Sequence, residues 1–229
     1  MQRESAAERT PWRPRDAGLA VLAGLMATTI VLAFLGPDPG VAKLFGLVVP
    51  AQTAGSLGVI VWLAPRRTDW RRSLAIGILP DDIVGVLIGA SLQLVLSIAA
   101  YWVVVVLFGF DPPTQEVVDI AADAVGWGDR ALVMGGVILL GPISEELIFR
   151  GVLLGALRRT HTDRMSIVVS AAAFAVLHLL DPGAAFAVPF LFVLGLVMGR
   201  AVVSTGRLGR AVAMHAGFNL VTVVALFSV

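Results

Sequence analysis

Six polar side chains able to do chemistry stand inside otherwise apolar stretches of this 229-residue sequence: Glu145, Glu146, Arg150, His178, His215 and Asn219. Glu146 and Arg150 are four positions apart, so on a helix they stack on one face and can form an ion pair. Glu145 lies about 100° around the same helix and points elsewhere. His215 and Asn219 repeat the four-residue spacing, and both can reach one cavity. A carboxylate, two imidazoles and a carboxamide together supply a base, an acid, and either oxyanion donors or metal ligands. Each group also has a plainer reading. Glu146 and Arg150 suit a buried pair that fixes helix register, and this reading is preferred for them. His178 suits a satisfied core histidine, and His215 with Asn219 suits a hydrogen bond between the fifth and seventh apolar runs. For Glu145 the plainer reading is weak, because a second carboxylate at membrane depth has no packing purpose.

The elements that must position these groups follow from composition. The chain is 58% hydrophobic and 14% charged, with a mean hydropathy of +0.90. Soluble domains carry about 25% charged residues, so no water-facing surface can be built from this sequence. Apolar runs at 17–35, 44–64, 83–110, 131–157, 165–180, 184–204 and 209–228 predict an all-α, polytopic transmembrane helical bundle of about seven spans. The short fifth run and the long third keep six to eight spans within range. The expected organisation is a tail at 1–16, three N-terminal membrane helices over 17–110, an external acidic loop at 111–129 and a four-helix catalytic core at 130–229. Within the loop, Val117, Val118, Ile120, Ala121, Ala124 and Val125 have helical spacing, which predicts a short helix on the outer surface. The uncharged run from Ala17 to Leu35 exceeds a signal-peptide core and reads as a retained anchor.

Charge sets the orientation. All but three of the 17 basic residues fall on alternate loops, from Arg3 through Arg210; the exceptions are Lys43 and Arg130 on the opposite side and Arg150 inside a span. Cytoplasmic loops collect Lys and Arg, so the N-terminus is expected in the cytoplasm and the C-terminus outside the cell membrane. The other side carries Asp38, Asp111, Glu116, Asp119, Asp123, Asp129 and Asp181. A net charge of +1 gives no argument for a nucleic-acid partner, and the absence of cysteine excludes thiol nucleophiles and thiolate metal sites. Trp62, Trp70, Trp102 and Trp127 fall near span ends, as headgroup anchors do. Gly85-x3-Gly89, Gly151-x3-Gly155 and Gly195-x3-Gly199 read as helix-packing faces.

Depth follows from about 1.5 Å of rise per residue. Counted from the basic loops, Glu145 and His178 both lie about 20 Å deep and Asn219 about 14 Å, while His215 reaches only about 8 Å and is the least secure member of the set. Gly141-Pro142 directly precedes the acidic pair. Proline removes a backbone hydrogen bond, and irregular backbone at membrane depth is tolerated beside a cavity, which favours a hydrated pocket at Glu145.

Read together, Glu145-Glu146-x3-Arg150, Phe174-x3-His178 and His215-x3-Asn219 resemble the CAAX protease and bacteriocin-processing family of intramembrane endopeptidases, also called Abi-like. The three motifs occur in family order over about residues 130–220. The resemblance implies an intramembrane protease acting on a membrane-associated or lipidated peptide or protein. In it, Glu145 and His178 activate a water, His215 and Asn219 stabilise the oxyanion, and Glu146, Arg150 and Phe174 support them. An older description of the family makes Glu145, His178 and His215 ligands of a Zn2+ ion. Two histidines and a glutamate do form a three-ligand catalytic zinc set, although the height of His215 leans toward the metal-free form. A transporter with an intramembrane proton or ion site is a second reading, weakened by the lack of matching broken helices in two halves. A non-catalytic membrane binding protein is a third.

Overall fold

The computed structural model describes residues 12–36, 39–66, 70–107, 109 and 115–228. Arg3 and Arg9 of the tail, Asp38, Arg67 and Asp111 lie outside the described residues. Among those described there is no strand, and seven helices are long and apolar enough to cross a membrane: Pro14–Leu35, Gly40–Arg66, Pro80–Val106, Trp127–Leu157, Asp163–Leu180, Val188–Thr205 and Gly209–Phe227, here spans 1 to 7. The chain is an all-α, multi-pass membrane protein.

Local sequence sets the ends of these helices. Pro14 opens span 1, where a missing N–H costs nothing, and the Asp16 carboxylate accepts the Arg13 N–H at 2.9 Å. Thr162 caps span 5 by accepting the Met165 N–H at 3.3 Å. Span 6 stops at Gly206, whose φ of +70° is left-handed backbone that suits glycine. The acidic connection does contain a helix, Glu116–Ala122, whose Ala121 is buried, as is Ala124 just after it.

Span 1 packs along span 2, span 5 along span 6, and span 3 along span 7. The small-residue patterns are the contact lines. A Cβ on Gly85 would sit 2.7 Å from the Arg210 carbonyl oxygen, and one on Gly195 would sit 2.9 Å from the Ala171 Cβ, so only glycine permits these approaches.

The end of the bundle that carries the basic loops is solidly filled. Trp12, Leu74, Val152, Leu154 and Leu208 are buried there in one cluster, and the Trp12 indole N–H donates to Ser73 Oγ at 2.8 Å. Beside it, Arg207 and Arg210 pair with Asp81 and Asp82 at the start of span 3, at 2.9 Å for Arg207–Asp82 and 2.9 Å for Arg210–Asp81. The Leu208 and Gly209 N–H groups donate to the Ala75 and Gly77 carbonyls. These bonds draw the 205–210 and 74–82 segments inward against each other.

Candidate active site

Span 4 changes its winding twice where the site is built. Wider π-helical turns occupy Gly135–Leu140 and Leu147–Leu153, on either side of an α-helical Gly141–Glu146. The cause of the first is readable atom by atom. The Gly141 N–H bonds to the Gly136 carbonyl, and Pro142 has no N–H, so the Val137 carbonyl loses its donor from within the helix. The Asn219 amide of span 7 fills that place, donating to Val137 O at 2.8 Å. Short π segments of this kind recur at functional sites.

The ion pair expected from the i, i+4 spacing is present: Arg150 Nη1 donates to Glu146 Oε1 at 2.8 Å, with both side chains 0% exposed. Arg150 Nη2 reaches across to the Gly195 carbonyl of span 6 at 3.3 Å, and its guanidinium lies 4.5 Å from the centre of the Phe174 ring. Phe174, wholly buried, also meets Phe149, His178 and His215 edge-on. It is the hinge-pin against which both imidazoles are set.

His215 Nδ1 lies 3.1 Å from Glu146 Oε1 and its Nε2 lies 3.7 Å from Glu145 Oε2. The depth expected for His215 is thereby corrected, for it is in contact with the acidic pair. Basic residues were the wrong ruler. Arg210 is tied to Asp81 and Asp82 at the start of span 3, so its place in the sequence does not mark the headgroup level. The π-helical turns of span 4 also climb less per residue than an α-helix, which shortens the distance from Arg158 to Glu145. A second correction concerns partners: His215 and Asn219 bond to span 4, not to span 5.

His178 begins the tighter turn, His178–Leu180, that ends span 5. Its Nδ1 lies 2.8 Å from the Phe174 carbonyl oxygen, and since a carbonyl only accepts, Nδ1 carries the hydrogen. In the neutral ring Nε2 is then an open lone pair.

Glu145, His178, His215 and Asn219 all line one cavity of about 650 Å³, a volume suited to several residues of an extended ligand. Glu145 is 33% exposed into it, against 0% for its neighbour Glu146. Spans 1 to 3 complete the walls. Gln52, Thr53 and Ser56 of span 2 and Gln93 and Ser97 of span 3 add polar groups. Sequence reading missed these, because uncharged polar residues scattered through apolar runs carry no distinguishing signal. It also missed Asp81 and Asp82, whose partners are more than a hundred positions away.

Among the described residues no three His, Asp or Glu side chains converge so as to hold a metal ion. His215 Nδ1 is taken by Glu146, a carboxylate that orients the imidazole, so His215 Nε2, Glu145 and His178 are the donors left facing the cavity. Those three are the groups that would hold a zinc ion, whose ligands must all reach one point at about 2.0–2.2 Å.

No curated protein and no solved structure gives a match to this chain. Residues 127–221, the segment holding all three motifs, match the family model described as type II CAAX prenyl endopeptidase Rce1-like. The resemblance to the CAAX-protease family is thus shown over the segment that builds the site, and it supports, in general terms, an intramembrane endopeptidase of the CAAX type.

Proposed function

We propose that the chain hydrolyses a peptide bond of a membrane-associated or lipidated substrate by means of a water activated by Glu145 and His178. The observation that carries this reading is the contrast between two adjacent carboxylates. Glu146 is dry and held by Arg150, whereas Glu145 opens into a cavity shared with two imidazoles and a carboxamide. In the reaction, Glu145 and His178 Nε2 take a proton from water as its oxygen bonds to the scissile carbonyl carbon. The proton then passes to the departing amine as the C–N bond breaks. Only as the imidazolium does His215 carry both an Nδ1–H for Glu146 and an Nε2–H for the oxyanion, and in that form it is the principal donor, with the second N–H of Asn219 as a further one. Glu146, Arg150 and Phe174 hold His215 in place. Residues 130–229 act as the catalytic core, with spans 1 to 3 as substrate-binding walls. No step needs a metal ion.

The test is incubation of the purified full chain with a library of lipidated and plain peptides, comparing it with Glu145→Gln. Cleavage by the unaltered chain that Glu145→Gln abolishes supports the assignment. Equal cleavage by both removes it.

A further inference from the structure

The cavity does not sit at the centre of the bundle. From Glu145 and His215 its lining runs through Phe45, Val104 and Leu226 to Gln115 and Ala121 around the Glu116–Ala122 helix, and to Phe186 after span 5. Glu145 and His215 lie at mid-bundle, and the others belong to the end of the bundle opposite the basic loops. Among the described residues, nothing from 57–92, 150–176 or 192–214 lines it, and those stretches contain every loop of the basic end. That end is instead closed, by the Trp12, Leu74, Leu154 and Leu208 cluster and by the Arg207 and Arg210 pairs with Asp81 and Asp82. Of the described Lys and Arg residues, only Lys43 and Arg130 sit at the open end, and Arg150 is buried within span 4. The rest are gathered at the closed end.

Retention of Lys and Arg in the cytoplasm is the strongest determinant of membrane orientation for short loops. Applied to this charge distribution, it puts the filled end in the cytoplasm and the cavity mouth outside. We infer that the cavity opens on the non-cytoplasmic face of the membrane, and that its substrate is a polypeptide presented from outside or from the outer leaflet. The word substrate rests on the hydrolase reading above; the side of opening rests on packing and charge alone. A cytosolic chain end, prenylated or not, would meet a packed wall. The class of event that must supply this site is therefore export or membrane insertion of the polypeptide, ahead of its cleavage.

The chain contains no cysteine, so single thiols report their own surroundings. Gln115→Cys and Phe186→Cys place a thiol at the mouth, Thr222→Cys places one deeper, and His161→Cys marks the exposed loop between spans 4 and 5 at the closed end. Each full-length variant is treated with a membrane-impermeant maleimide in right-side-out spheroplasts, before and after permeabilisation, and again as a monodisperse protein in detergent. The mouth and Thr222 thiols should label before permeabilisation, and the His161→Cys thiol only after it. Mouth thiols that label only after permeabilisation, or a Thr222→Cys thiol unreactive even in detergent, would overturn the inference. Labelling needs no cleavage, so the two readings fail separately. A mouth labelled from outside in a protein without Glu145-dependent cleavage removes the hydrolase reading and leaves the side of opening intact. Glu145-dependent cleavage with a mouth reached only from within does the reverse.

Discussion

The two ends of this bundle draw on the same apolar composition but treat their polar groups differently. At the basic end the polar side chains that close the bundle are paired: Trp12 has Ser73, while Arg207 and Arg210 have Asp81 and Asp82. At the other end Glu145, His178 Nε2 and the hydroxyl groups of spans 2 and 3 face an open volume. Glu146 and Glu145 stand on the boundary, one residue apart. A buried carboxylate is tolerated when a guanidinium holds it, and costs several kcal/mol when nothing does. An unsatisfied carboxylate facing a cavity is instead free to accept a proton from something that comes in. The lesson is that the chemistry is to be sought where the polar groups have unused bonding capacity, not where polar groups are most numerous.

The comparison can be broken from either side. On the cavity side, His178→Ala should lower cleavage by about 10²–10⁴-fold without loss of thermal stability, as expected for a residue sharing base work. A stable variant of full activity would remove His178 from the reaction. On the packed side, Arg150→Ala strands the Glu146 charge and should cost about 3–5 kcal/mol, read as a lowered unfolding midpoint in detergent. Unchanged stability with activity lost would make Arg150 a substrate-binding group instead.

Asn219→Ala tests the boundary itself. It removes one donor to the oxyanion and should lower kcat by about 10²–10³-fold. It also leaves the Val137 carbonyl unpaired, and a modest fall in stability of about 1–3 kcal/mol should accompany it. A loss of stability alone would make Asn219 purely a patch for the proline-broken helix. The smallest expected effect is that of chelation: prolonged treatment should leave the rate unchanged. Activity lost on chelation and restored by added zinc would replace the water-activating pair with a metal site.

Much of the fold was legible because membrane spans are encoded by length and apolar continuity, and the seven helices fall close to the seven apolar runs. The i, i+4 rule likewise anticipated the Glu146–Arg150 pair. Depth was not legible. His215 was displaced in the sequence-based reckoning because Arg210 is bound to acidic partners from span 3, a contact that links residues far apart in sequence. The partner of Asn219 was hidden for a related reason. Gly141-Pro142 announced a break in span 4, but only the winding of Gly135–Leu140 identifies the Val137 carbonyl as the one left open. The cavity walls from spans 1 to 3 also depend on tertiary packing, so the motifs in 127–221 could not disclose them.

The central claim is that two adjacent carboxylates have different jobs, and one paired measurement tests it. Glu145→Gln and Glu146→Gln are made in the full chain, and each is assayed for single-turnover peptide cleavage and for thermal unfolding. The account predicts that Glu145→Gln retains its unfolding midpoint and substrate binding while cleavage falls by about 10²–10⁴-fold or more. Glu146→Gln leaves Arg150 buried beside a neutral amide, so it should lower the unfolding midpoint as well as the rate. Full cleavage of the same peptide by Glu145→Gln, or a midpoint lowered by Glu145→Gln and left intact by Glu146→Gln, would contradict the account.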